Sequence, residues 1–305
     1  MCAQIFKKLP RGCSTTGSAG DGPAQAARRV ILGALLRAAL LLLLPACQRS
    51  DPAVATDRPD PSQSTAMKAP SQRPLRVAAA ADVEPAFRLL GDLHQQRSGR
   101  QVVFSFAGSV ALSQQIQHGA PFDLYAAASV RHVEALIEKG AVQAGSLRRY
   151  ARGGLVLWTR MASGSGGTSS TVALPGDLAD LARPQYGRIA IANPDHAPYG
   201  VAAVQALQGA GIFDVVKSRL VFGENIRQAH QFVATGNADI VLDARSLAIA
   251  AGGPYVAVPQ TLYQPLEQAL GVVKSGDQVG AQAFVALLLS EDGQAVLHRF
   301  GFAAP

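Results

Sequence analysis

Cysteine is scarce. Cys2, Cys13 and Cys47 are the only three in 305 residues. Everything after Cys47 can therefore form no internal disulfide and offers neither a thiol nucleophile nor a Cys-ligated metal site. Its stability has to come from a core. Charge is sparse too: 16% of residues are charged and 48% hydrophobic, which excludes a disordered chain. A concentrated basic face is also missing. The formal charge is +7, but residues 1–46 carry six basic side chains against Asp21 alone. The remaining 259 residues hold 22 basic and 20 acidic side chains. A nucleic-acid partner is excluded on that ground, because binding a phosphate backbone needs clustered cations. Neither a metal-hydrolase helix nor a dinucleotide-binding glycine fingerprint is present. No repeat of 20–50 residues points to a solenoid.

The one long apolar run is Val30–Ala46, interrupted only by Arg37. It is short for a membrane span, which needs about 20 residues. Residues 1–29 before it are polar and basic, and Leu44-Pro45-Ala46 after it supply the small residues of a cleavage site. Residues 1–46 thus read as an export signal. Cys47 directly follows, so the junction resembles a lipobox, in which that thiol is lipidated and becomes the new N-terminus. The alternative is cleavage by ordinary signal peptidase beside an incidental cysteine. Arg28-Arg29 is read as ordinary n-region charge rather than a twin-arginine signal. Residues 47–73 are rich in Pro, Ser, Asp and Gln without hydrophobic periodicity, and read as a flexible tether.

From Pro74 onward short apolar strands alternate with amphipathic helices. Leu75–Ala80 is an apolar strand, and Asp82 and Pro85 open a helix whose Val83, Phe87, Leu90 and Leu93 share one face. Units of about 25 residues then recur with short turns, which predicts an α/β fold with mainly parallel sheets flanked by helices. In such folds ligands bind where strands end and helices begin. Four turns stand out: Ala81-Asp82-Val83, Ala107-Gly108-Ser109-Val110, Pro198-Tyr199-Gly200-Val201 and Gly223-Glu224-Asn225-Ile226. Each offers unpaired backbone N–H groups at the positive end of a helix. Several converging on one cleft can bind an anion without a cationic side chain.

The wording of these turns resembles the periplasmic molybdate-binding proteins, the solute receptors of molybdate ABC transporters. The matching stretches are LRVAAAADVEPAF (75–87), VVFSFAGSVALSQQIQHGAPFDLYAAAS (102–129), RIAIANPDHAPYGVAAVQAL (188–207), FGENIRQAHQFVATGNADI (222–240) and HRFGF (298–302). The resemblance implies a two-lobed, type II periplasmic binding protein with the ligand in the inter-lobe cleft. Lobe I would be 74–152 with 267–305, and lobe II 153–266. It further implies a monomer without enzymatic activity or cofactor, which captures molybdate or tungstate in the periplasm. A lipid anchor would hold it at the membrane, where it delivers its ligand to an ABC permease and its ATPase. By position, the ligand-binding residues would be Ala81, Asp82, Ser109, Tyr199 and Ile226. They would contact the oxygens of the metal oxyanion through amides and hydroxyls. The tyrosine that some members place near the last strand falls at Leu242 and is absent.

Asp82 stands where the commonest pattern has serine, and a carboxylate would repel a dianion in a dry cleft. The reading adopted here is that Asp82 caps its helix by accepting from the Glu84 amide. Two other functions stay open. Asp82, Asp195, His196, Tyr199 and Asp243 are suitable ligands for a hard cation such as Fe³⁺. A hydrolase would use Ser109 as nucleophile, although its surroundings are not G-x-S-x-G and adjacent Asp195 and His196 cannot orient one another. His94, His118, His132, His230 and His298 read as surface or partly buried. Arg148, Arg149 and Arg152 read as a solvated basic cluster, Trp158 as core, and 163–170 as a flexible Gly/Ser connection.

Overall fold

A computed structural model of the chain describes residues 73–160 and 172–305. The export signal, Cys47, the tether up to residue 72 and the 163–170 connection fall outside the described residues, whereas Arg73, the last residue of the expected tether, pairs with Asp123 at 2.6 Å. The described residues begin with β1 (Leu75–Ala80), α1 (Glu84–Ser98), β2 (Val102–Ala107), α2 (Ser109–Gln117), β3 (Leu124–Ala127), α3 (Val130–Glu138) and β4 (Arg148–Gly153). It continues with β5 (Leu155–Trp158), β6 (Ile189–Ala192), α4 (Pro198–Gly209), α5 (Phe213–Val216), β7 (Leu220–Gly223), α6 (Ile226–Ala234), β8 (Ile240–Ala244), α7 (Arg245–Ala251) and β9 (Tyr255–Ala257). The last elements are β10 (Leu266–Val272), α8 (Gln278–Leu289) and α9 (Glu291–Arg299).

Two five-stranded sheets result, ordered β2-β1-β3-β10-β4 and β7-β6-β8-β5-β9. Each forms a lobe with its flanking helices, as the alternation of strands and helices predicts. Each sheet is mixed. β1 pairs in parallel with β2 and β3, and β6 with β7 and β8. β10 and β5 run antiparallel to both their neighbours. The cause is connectivity: β4 leads through Gly154 straight into β5 of the other sheet, and β10 returns from β9, so both enter a lobe from its partner's side. The tail adds a bridge outside β4, where Ala303 exchanges two backbone hydrogen bonds with Arg152.

The first core packs Phe87, Phe284 and Tyr150, with Phe87 ring centroids 6.0 Å from Phe284 and 5.8 Å from Tyr150. The second packs Leu157, Ile191, Ala203 and Leu242. It also takes in Ala80, Ala81 and Ala128, which chain order places in the first lobe. The alanines that end β1 and follow β3 are small enough to let the second lobe close on them.

Several local readings change. Arg148–Gly153 is an edge strand rather than a mere basic cluster; Arg148, Arg149 and Arg152 face outward while Tyr150 points into the core. α7 and β9 have too few residues to show a period. His94 is buried, not superficial, with its ring 5.6 Å from that of Phe284. Trp158 is core, as its apolar strand implied.

Candidate functional site

The four turns singled out in the sequence all lie at helix starts. After β1, Ala81–Val83 forms one 3-10 turn leading into α1, with Pro85 in its first turn, where a missing N–H costs nothing. Ser109 opens α2. Its hydroxyl accepts from the Ala128 amide at 3.2 Å, and its carbonyl accepts from Tyr125 Oη at 2.7 Å. A hydroxyl whose oxygen is engaged this way still has its own proton to donate.

In the second lobe Pro198 and Tyr199 open α4, and Gly200 lets that helix sit directly on the end of β6. A Cβ there would overlap the Ala192 carbonyl and lie 2.7 Å from Asn193 C and Pro194 N. Gly223 does the same for α6, since its Cβ would lie 2.5 Å from Ala229 N. Asn225 caps α6 by accepting from the Gln228 amide at 3.1 Å, while Gln228 Oε1 accepts from the Glu224 amide at 2.6 Å. The side chains thus serve residues 224 and 228, and Ile226 sits at the first helical position, where the N–H has no acceptor within the helix.

These turns meet. A Cβ on Gly108 would lie 3.4 Å from the His196 carbonyl oxygen and 3.5 Å from that of Glu224. Ser246 Oγ, on α7, donates to the Asp82 carbonyl at 2.7 Å, and Arg227 pairs with Glu84 at 3.0 Å. Ala81, Tyr199 and Ile226 belong to one buried cluster together with Ala128, whose amide holds Ser109. Asp82 joins them through its carbonyl and its carboxyl. All five predicted residues are buried. A groove of about 540 Å³ beside them is lined by Val110, Ala128, Pro198 and Glu267 among others, but by none of the five predicted residues.

Asp82 does not cap its helix. Its side chain makes no capping bond; instead Oδ2 accepts from Gln268 Nε2. The reason is burial: at 1% exposure the carboxyl is enclosed by β10 and α4, and the side-chain donor there displaces the Glu84 amide. Burial raises its pKa to about 6, partly offset by Gln268, the nearby Tyr199 hydroxyl and the amides of Asp82 and Val83. Tyr199 and Tyr150 are pushed well above the ordinary phenol value by burial and then by the Asp82 charge. Gln268 and Ser246 were not foreseen as neighbours of the site; nothing local in sequence marks them.

The other two functions find no assembly. Asp195 and His196 are exposed, while Asp243 is fully buried and bonded to His230 Nδ1 at 2.6 Å. Burial raises the Asp243 pKa against the opposing effect of His230. Among the described residues no three His, Cys, Asp or Glu side chains gather as a metal site. The hydroxyl partner of Ser109 is an amide, not the imidazole a hydrolase needs. Leu242, at the position of the absent tyrosine, is core.

Comparison with known proteins places the chain in one family. The model of the bacterial extracellular solute-binding protein family matches residues 75–303. The chain is 36% identical to the molybdate-binding protein ModA of Azotobacter vinelandii over 237 residues, covering 75% of this chain and 89% of that one. It is 32% identical to the ModA of Rhodobacter capsulatus, covering 78% and 90% respectively. The solved structure of the periplasmic molybdate-binding protein of Azotobacter vinelandii superposes with a TM-score of 0.68 at 29% identity, covering 76% of this chain and 99% of that one.

Proposed function

The chain belongs to the bacterial extracellular solute-binding proteins, in the molybdate-binding group, and from that premise we propose that it captures molybdate in the periplasm and delivers it to an ABC permease and its ATPase. The group consists of transport receptors rather than enzymes. The observation that carries the proposal is the convergence of four helix starts on one buried point between the lobes, with the Ser109 hydroxyl left free to donate. Such a site satisfies a fully ionised oxyanion, whereas a protonated one would set donor against donor.

Ala81, Asp82, Ser109, Tyr199 and Ile226 are the residues assigned to the ligand, chiefly through amides and the one hydroxyl. Residues 74–152 with 267–305 form one closing body and 153–266 the other. The open form prevails until a ligand touching both bodies stabilises closure, and the permease reads the closed surface. Tungstate, alike in charge and shape, competes for the same site. Residues 1–46 direct export, Cys47 carries the lipid, 47–73 is the tether, and the receptor works as a monomer.

The test is a thermal-shift titration of the purified protein with molybdate, tungstate, sulfate, phosphate and Fe³⁺. A ligand at 100 times its Kd stabilises the native state by about 2.7 kcal/mol, a readily measured rise in Tm. A rise with molybdate and tungstate alone is expected. A rise with Fe³⁺ alone would move the carboxylates to the centre and end the oxyanion reading.

A further inference from the structure

Two buried polar atoms at the lobe boundary are left over by the binding site. Asp82 Oδ1 and Tyr199 Oη meet no partner at good hydrogen-bonding geometry among the described residues, although both side chains are almost wholly enclosed. They belong to different lobes and face one another. A buried acceptor or donor left unmade costs about 1–3 kcal/mol, and a hydrogen bond from the phenol to the carboxyl would satisfy both atoms at once.

The surroundings are built for this pair. β4 carries one extra residue against β10: Gln268 faces Ala151, but Ala269 faces Arg149, so Tyr150 is bulged out. A bulge re-aims side chains, and Tyr150 Oη donates to Gln268 Oε1 at 2.7 Å. With its carbonyl so engaged, the Gln268 amide must present NH₂ to Asp82 Oδ2. The other wall is Gly153, the last residue of β4 before the crossover. A methyl group there would overlap the Tyr199 hydroxyl and lie 3.2 Å from Gln268 Nε2. The phenol of the second lobe therefore enters a notch that only glycine leaves open. The same short segment is gripped twice more across the boundary, by Ser246 on the Asp82 carbonyl and by Arg227 on Glu84.

We infer that Asp82 and Tyr199 form an inter-lobe latch, with Gln268 as positioning residue and Gly153 as its seat, which sets how long the closed, loaded receptor lasts. The inference rests on the receptor reading above and deepens it. Asp82 acts on Tyr199, not on the oxyanion.

Stopped-flow measurement of molybdate association and dissociation tests this, on the wild type, Tyr199→Phe, Asp82→Asn and the double variant, with small-angle scattering of the saturated proteins. Each single variant is expected to raise the dissociation rate about tenfold, leave association within about twofold, and enlarge the radius of gyration. The double variant should dissociate no faster than the worse single one, because the two residues act through each other. Gly153→Ala should speed dissociation in the wild type, and Tyr199→Phe should recover part of the loss. Tyr199→Phe keeps ring and backbone, so it reports even if Asp82→Asn folds poorly. Additive effects, or an unchanged dissociation rate in Tyr199→Phe, would overturn the latch while leaving the receptor reading intact. Failure of the wild type to bind molybdate would remove the receptor reading, and the latch with it.

Discussion

The first lobe meets the cleft with side chains: the Ser109 hydroxyl and the Asp82 carboxyl, set among the alanines that end β1. The second meets it with backbone. Tyr199 and Ile226 stand at the first turns of α4 and α6, and the side chains nearby serve to seat those turns. Gly200 and Gly223 allow close approach to the strand ends, and Asn225 and Gln228 settle the neighbouring amides. One lobe should therefore be vulnerable to side-chain truncation and the other, the Tyr199 hydroxyl of the latch apart, chiefly to changes in backbone.

The largest effect that can break this contrast is Gly200→Ala. The added methyl meets the backbone of residues 192–194, with no flexible side chain to yield. A loss of about 3 kcal/mol of stability, the upper end of overpacking costs, is expected together with loss of molybdate binding, measured by melting and by calorimetry. Next comes Ile226→Pro. Proline is at home at the first helical position and Asn225 is already extended, so the helix survives while one N–H is deleted. Binding should weaken by about 2–3 kcal/mol, whereas Ile226→Val should bind as the wild type does; equal losses would show that the side chain matters. Ser109→Ala should weaken binding by about 2 kcal/mol, the value of one charge-assisted donor. An unchanged Kd would remove Ser109 from the site.

The smallest signal is a slope. The folded-state pKa of Asp82, about 6, lies above the ordinary 3.8. The folded protein therefore holds that proton more tightly than the unfolded chain. The resulting stabilisation is full below about pH 3.8 and is lost as pH rises through about 6. Asparagine cannot titrate, so the stability of the wild type relative to Asp82→Asn should fall between about pH 4 and 6.5 and stay level above. Melting curves of both proteins across that range check it, and parallel profiles would place the Asp82 carboxyl in water.

Much of the second lobe's contribution was legible in sequence because helix starts are local. Pro198, Asn225 and the glycines carry their signal within a few residues. Ser109 was legible for the same reason. The surroundings of Asp82 were not, because Gln268 is 186 positions away and Ser246 is 164. From Asp82 and Glu84 alone the favoured reading was a helix cap. It failed because burial between lobes brings a side-chain donor closer than the local amide. The mixed sheets were hidden likewise: strand direction in β5 and β10 follows from crossing between lobes, and the edge strand β4 passed as a patch of arginines. His94 was misjudged because its partner Phe284 comes from the far end of the chain.

Trp158, the single tryptophan, lies flat on His230 with ring centroids 4.3 Å apart. His230 sits one turn beyond Ile226 on α6 and is tied to Asp243 at the end of β8. Any pull on the first turn of α6 is thus passed along a rigid helix to an imidazole resting on the only indole in the molecule. The protein carries its own optical gauge. Its ultraviolet emission should register the seating of α6 when the cleft fills, with no dye attached, and stay insensitive to events confined to the other lobe.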